Sequence, residues 1–592
     1  MTDDEAVFVP NAPYEEDAEH GFFSRFEPGT RTLPAGLQVH PGYKPLSNDI
    51  VMDKDVAVTL RDGVTIYVDV LRPPGTEKVP VLVAWSPYGK SRGHAPMYVD
   101  LFAVLGMATG TLSGLMKFEG PDPAFWCAQG YAVCNPDPRG SFNSEGDLRV
   151  WSRQEGEDFH DLIEWLGVQD WCNGKVGASG NSYLAISQWF AAAERPPHLA
   201  AIAPWEGMSD IYRDLVVRGG IPDFPFPSRL SRGFVGKGRR EDLVAEGERH
   251  PLLDALWESK IPDFEKITVP AYIVASYSNN IHTPGTFRGW RRISSDQKWL
   301  RIHNTMEWPD YYEESNQADL LRFFDHFLKD IDNGWPETPR VRYAVLDLEG
   351  GDRINQPAGE FPPEDFAEVR YYLDATTHAL NSEEPRDGAT TSYDAESDEG
   401  RASFAIRVDS PTEFVGYPKL HLWVEADGSA DMDLFVFLQK LDADGKLLEQ
   451  FNIPNQGPQM QAITAHGAAI LKYKGSNGRL RVSLRHLDEA QSTDSVPVHS
   501  FDRVEKLTPG EVVSVDIDLF PIGLALYPGE QLRLVISGQH LLGGVMPGVD
   551  NVAADNHGRH VIHTGGPHTS YLQLPRKPLG LSRNVRSQEL RK

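Results

Sequence analysis

The 592-residue sequence predicts an α/β chain: a parallel sheet covered by helices and interrupted by an inserted helical cap, followed by a C-terminal β-sandwich. Three observations carry that prediction. Between about residue 79 and residue 303, short apolar runs alternate with helix-forming stretches, as in a parallel sheet with helices on its faces. After residue 205, about sixty residues rich in Arg, Pro and Gly break the alternation. From about 341 onward the chain alternates with period two, with Gly, Pro and Asp between runs and hardly any helical pattern, which suits a sandwich.

Size supports several domains, because single cores rarely grow much beyond roughly 250 residues. Residues 1–48 are acidic and lack clear periodicity, so they are expected to form an arm lying over the body. VAVTL and VTIYVDVLRP flank Arg61-Asp62-Gly63 and predict a hairpin. The core runs follow: VPVLVAWSPY (79–88), YAVCNPD (131–137), KVGAS (175–179), LAAIAPW (199–205), AYIVAS (271–276) and KWLRIH (298–303). EGEDFHDLIEWLG places Phe159, Leu162, Ile163 and Leu166 on one helical face, with acids in the first turn where the helix dipole favours them. A long insertion is expected at roughly 90–120. The divisions expected are core at 49–205 and 266–345, cap at 206–265, and sandwich at 346–592.

Composition excludes some partners. A net charge of −28 argues against tight binding to nucleic acid or to an anionic membrane, both of which require clustered Lys and Arg. Three cysteines without CxxC spacing suggest neither a disulfide framework nor a zinc site. The first residues are acidic and lack an apolar stretch of the signal-peptide kind, and no run of 18 apolar residues occurs, so a cytoplasmic location is expected. Neither cofactor nor metal is called for, and oligomeric state is open.

The chemistry points to GASGNSYLAISQW (177–189), which holds Ser179 and Ser182. A serine hydroxyl needs a base to take its proton and donors to hold the developing oxyanion. A sharp strand-to-helix turn with small neighbours exposes such a serine. Ser179 falls early enough to remain in the strand, whereas Ser182 follows Gly180 and precedes an amphipathic helix. Ser182 is therefore the candidate nucleophile. Alone the pattern is weak, since Leu184 stands where G-x-S-x-G has its second glycine.

The wider sequence, in SPYGK (86–90), NPDPRGSFNSEG (135–146), EGEDFHDLIEWLGVQDWCNGKVG (155–177) and GNSYLA (180–185), resembles the CocE/NonD family of α/β-hydrolases. That family groups cocaine-esterase-like enzymes, α-amino acid ester hydrolases and X-Pro dipeptidyl-peptidases. The resemblance implies an α/β-hydrolase core, a C-terminal jelly roll, and Ser182 as nucleophile, with Ala185 replacing the last glycine of G-x-S-Y-x-G. It also implies an oxyanion hole formed by the Tyr88 hydroxyl and the backbone N–H of Tyr183.

Two slots depart from the family pattern. Where an aspartate is expected after AYIVAS there is no acid, Asn280 standing about there, and where a histidine is expected after KWLRIH there is Glu307. The same loops hold His282 and Glu307 in exchanged places. A triad is defined by geometry and roles, so Ser182 with His282 as base and Glu307 as orienting carboxylate is chemically equivalent if the three converge. His303 is the competing base. The function expected is hydrolysis of a small-molecule ester or amide through an acyl-enzyme. Alternatives are a non-catalytic binding protein on a hydrolase fold and an acyltransferase using the same serine. NHGRHVIHTGGPH holds His557, His560, His563 and His568, but the two histidines of HVIH fall on opposite faces of a strand and no nearby acid cluster completes a shell, which argues against a metal.

Overall fold

The computed structural model describes residues 6–14, 25–90, 107, 109–349, 351–453, 469–546 and 548–579. Most of the insertion expected at 90–120 lies outside the described residues, as do parts of the N-terminal arm and the end of the chain.

Eleven strands form the central sheet: β1 (Gly29–Leu33), β2 (Ile50–Thr59), β3 (Thr65–Arg72), β4 (Val79–Val83), β5 (Ala132–Asp137), β6 (Cys172–Asn181), β7 (Leu199–Trp205), β8 (Ala271–Ser276), β9 (Lys298–His303), β10 (Val341–Val345) and β11 (Arg353–Ala358). Their order is β11-β10-β9-β8-β7-β6-β4-β5-β3-β2-β1. Strands β4 to β10 pair in parallel, and β8 is buried at every position, as expected of a strand covered on both faces. The antiparallel pairs lie at the two edges. The six core runs read from the sequence all fall on strands, and the hairpin is β2–β3, turning on Gly63 at φ 89°.

The arm differs from an extended cover, because it pairs. Its Phe8–Pro10 joins Arg239–Glu241 of the cap, and its Gly29–Leu33 is the edge strand β1. The sheet also runs past residue 345, since β11 pairs antiparallel with β10.

Helix α1 (Arg153–Gly167) packs on the sheet through Phe159, Leu162, Ile163 and Leu166, all fully buried. Burial of each such side chain contributes about 1.5–3 kcal/mol. Ser152 caps the helix by accepting the Glu155 N–H at 3.3 Å, while Glu155 accepts the Trp151 N–H at 2.8 Å. Helix α2 (Tyr183–Ala193) follows β6 directly and is buried throughout. Three more helices matter below: α3 (Thr283–Arg292), α4 (Glu307–Tyr312) and α5 (Glu314–Lys329).

The cap between β7 and β8 is less helical than its place suggests. It holds a π-helical turn (Tyr212–Val216), a short hairpin, and helices Pro225–Ser231, Leu243–Arg249 and Ala255–Glu258. Beyond residue 366 the chain is a β-sandwich. Its period-two pattern works as read: in Lys419–Asp427, Leu420, Leu422, Val424 and Ala426 face inward, fully buried. The last described strand, Tyr571–Pro578, pairs with the first, Ala367–Asp374. The sandwich meets the core directly, with Leu346 N–H donating to Gly523 O and Ala525 N–H to Leu346 O, both at 2.9 Å.

Candidate active site

Ser182 sits between β6 and α2 with φ 56° and ψ −120°, a backbone conformation that costs a non-glycine residue energy and persists only when its surroundings enforce it. Those surroundings are visible. The Ser182 N–H donates to Glu206 O at 3.0 Å, the Asn181 N–H donates to Glu119 O at 3.1 Å, and the Ser182 carbonyl accepts from Ala185 and Ile186. Gly180, at φ 139°, lies so close to Leu184 and Glu119 that a Cβ there would meet them at 2.6 and 2.9 Å. Ala185 fits where the family motif ends in glycine because Gly207 packs against it; a Cβ on Gly207 would lie 2.8 Å from that of Ala185. Ser179 remains in β6, its hydroxyl bonded to the Tyr311 hydroxyl at 2.8 Å.

Ser182 is partly exposed, and its Oγ makes no hydrogen bond among the described residues. The half-buried Tyr88 ring lies edge-on to Tyr183, with centroids 5.8 Å apart, and to Phe118 at 5.6 Å. The Tyr183 N–H is in the first turn of α2, where backbone donors lack intrahelical partners. The Tyr183 hydroxyl points away, donating to Glu155 at 2.9 Å, and Glu155 also accepts the Trp85 indole N–H at 2.9 Å. Burial pushes the Glu155 carboxyl up to about 7.

The two exchanged loops do meet. His282 ends the loop after β8 as the residue before α3, Glu307 opens α4 after β9, and His282 Nε2 lies 3.7 Å from Glu307 Oε2 with both side chains buried. That is beyond hydrogen-bond length. His282 Nδ1 is buried and unpartnered among the described residues, and burial pulls the imidazole down to about 3. Burial, and after it the charges of Glu206 and Glu119, hold the Glu307 carboxyl well above the usual carboxylate range.

His303 belongs to the same polar cluster, with both ring nitrogens partnered. Its Nε2 bonds Glu206 Oε1, and its Nδ1 meets Thr305 Oγ1 at 3.3 Å and Asp310 Oδ1 at 3.5 Å. Asp310 in turn is held by Arg301 at 2.9 Å.

On the loop after β8, Asn279 rather than Asn280 faces the polar cluster, donating from Nδ2 to Glu307 at 2.7 Å and to Glu206 at 2.8 Å. Its Oδ1 accepts the N–H groups of Ile281 and His282, which fixes the start of α3. Asn280 is turned to the sandwich, where Asn477 donates to it at 2.8 Å.

Sequence reasoning missed Glu206 and Glu119. Glu206 follows β7 at φ 53° and accepts Ser276 Oγ at 3.0 Å; Glu119, at φ 68°, accepts the Trp308 indole N–H at 2.9 Å and is pushed up to about 8 by burial. The signal for Glu206 was available, since an acid immediately past a core strand lies at the same sheet edge as the nucleophile turn. Glu119 sat next to an insertion of no readable periodicity.

The parallel sheet, the strained serine between strand and helix and the polar cluster at the carboxyl ends of β7, β8 and β9 define an α/β-hydrolase. Residues 62–228 match the model of the X-Pro dipeptidyl-peptidase (S15) family, and residues 333–573 match that of the X-Pro dipeptidyl-peptidase C-terminal non-catalytic domain. A CocE/NonD family hydrolase from Staphylococcus aureus is 34% identical over 93% of this chain and 97% of its own, with a TM-score of 0.84. The chain belongs to the CocE/NonD family of hydrolases. Cocaine esterase from a Rhodococcus species is 37% identical over 159 residues, which span 27% of this chain and 24% of that protein. An α-amino acid ester hydrolase shares the fold, at 16% identity and a TM-score of 0.65 over 89% of this chain and 97% of its own. No helix among the described residues is long and apolar enough to cross a membrane.

Proposed function

We propose that the chain is a serine hydrolase that cleaves an ester or amide of a small molecule through an acyl-enzyme on Ser182, with His282 as general base and Glu307 as its orienting carboxylate. The observation that carries this is the enforced backbone of Ser182, which holds a partly exposed hydroxyl at the tip of a buried turn. The 3.7 Å approach of His282 to Glu307 supports the exchanged assignment. Because Glu307 faces Nε2 and Nδ1 has no partner, Nδ1 is the atom that takes the Ser182 proton. Apo hydrogen bonds of this kind are often long and tighten with substrate.

In the first step Ser182 Oγ attacks the substrate carbonyl while its proton passes to His282. The Tyr88 hydroxyl and Tyr183 N–H donate to the oxyanion, and the imidazolium returns its proton to the leaving alkoxide or amine. Water then attacks the acyl-enzyme by the same proton route; an acceptor alcohol or amine in its place would make the chain an acyltransferase. An active-site-directed fluorophosphonate tests the serine. Labelling that is abolished in Ser182→Ala is expected, and a native chain that does not label would favour the binding-protein alternative.

A further inference from the structure

Helix α3, which begins just after His282, lines a second cavity of different chemistry with Pro284, Arg288 and Arg291. The cavity encloses about 80 Å³ between cap, α3 and sandwich. One water requires roughly 10–15 Å³, so this space takes several waters or one tetrahedral oxyanion.

Its walls are cationic in a chain whose net charge is −28. Arg213 and Arg218 come from the cap, Arg288 and Arg291 from α3, and Arg479 from sandwich strand Ser476–Arg481. The nearby acids do not answer them one for one. Asp210 pairs with Arg213 at 2.6 Å and Asp214 with Arg288 at 2.7 Å. Asp223 is shared by Arg479 at 2.9 Å and Arg218 at 3.7 Å, and the one further acid on the wall, Asp518, is exposed. The Arg291 guanidinium stands 4.8 Å from the Tyr417 ring centroid and has no carboxylate at ion-pair distance among the described residues.

A second observation is independent of the arginines. His499 lines the same cavity, is 4% exposed, and its Nε2 is buried without a hydrogen-bond partner among the described residues. A buried polar atom left unpaired costs about 1–3 kcal/mol. Stacking on Phe501, with centroids 5.4 Å apart and planes at 26°, holds the ring in place, so the nitrogen cannot turn to solvent cheaply. Crowding of like charge adds to the strain, for burial and then the neighbouring Arg479 pull Arg218 down to about 9.

We propose that this cavity binds a phosphate-type oxyanion, with Arg218, Arg291 and Arg479 as its charged donors and His499 Nε2–H as a further one. Guanidinium forks suit such an anion, since each can present two parallel N–H groups to two of its oxygens. Donors from three segments would then converge on one ion, so its binding ties cap, α3 and sandwich together. The site is separate from Ser182, and fluorophosphonate labelling is expected to be the same with and without the anion.

The test is calorimetric titration of the full chain with inorganic phosphate and, separately, phenyl phosphate, at an ionic strength held constant with sodium chloride. Saturable binding of one phosphate per chain is expected, weakened at least tenfold in Arg218→Gln and several-fold in Arg291→Gln. Arg291 is exposed, so its variant keeps the test intact if loss of the more buried Arg218 disturbs folding. Binding of both ligands assigns the site to the phosphate group of a larger molecule, and binding of inorganic phosphate alone assigns it to the free ion. No saturable heat with either ligand, or affinities in both variants equal to the native chain's, overturns the proposal.

Discussion

Glu307→Gln separates a working imidazole–carboxylate pair from a coincidental one. In the resting site burial disfavours the charge on His282, and burial, reinforced by Glu206 and Glu119, favours the protonated form of Glu307. The transition state puts a proton on His282. Opposite unit charges 3.7 Å apart in an effective dielectric of about 20 attract by about 4.5 kcal/mol. Loss of that attraction slows the reaction by about a thousandfold. The pH dependence has a definite sign: the carboxyl must lose its proton to act, and burial, then Glu206 and Glu119, move that loss to a pH well above the usual carboxylate range. For the native chain, kcat/KM on an activated aryl ester is therefore expected to rise with pH, while Glu307→Gln is about a thousandfold slower at the alkaline plateau and lacks that rise. Activity of Glu307→Gln within tenfold of native, or an unchanged pH rise, would refute the assignment.

Three further outcomes follow from the same geometry. His282→Ala is expected to abolish fluorophosphonate labelling, whereas His303→Asn still labels but unfolds more readily, by about 1–3 kcal/mol in urea, because it removes one of the three side-chain bonds to the buried Glu206 carboxyl. For Glu119, whose folded value of about 8 exceeds the unfolded one, stability is full below about pH 4.5 and is lost as pH rises through 8. Glu119→Gln should thus gain on the native chain by at most about 1.4 kcal/mol per pH unit over that window, read from thermal unfolding at pH 6, 7 and 8. Gly285→Ala forces a Cβ to 2.4 Å from Asp214 Oδ2 and 2.6 Å from Met208 Cα, so a loss of about 1–3 kcal/mol in denaturant unfolding is expected.

What was legible in the sequence was what repeats. Strands β4 to β9 announce themselves as apolar runs because both faces are covered, and the sandwich strands because one face is not. The nucleophile turn was legible from its small residues, and Ser179 was separable from Ser182 by its place in the strand. The polar cluster was harder, because nothing periodic governs a loop. His282 and Glu307 were read by slot, but which of Asn279 and Asn280 faces the cluster depends on how α3 begins, which the Asn279 side chain decides in three dimensions. Glu206 and Glu119 each hold a carbonyl against the nucleophile turn from a positive-φ backbone; the place of Glu206 just past a core strand was readable, whereas no local pattern marks Glu119. The pairing of the arm with the cap was hidden similarly, since Phe8–Pro10 finds its partner more than 220 residues away.

The bonds of Leu346 with Gly523 and Ala525, and of Asn280 with Asn477, have a bearing on biogenesis. As the polypeptide leaves the ribosome amino end first, the serine turn can fold early, but the wall behind the His282 loop is translated near the finish. Until then the nascent hydrolase carries an unfinished reaction centre, and synthesis itself delays the moment at which it can cut.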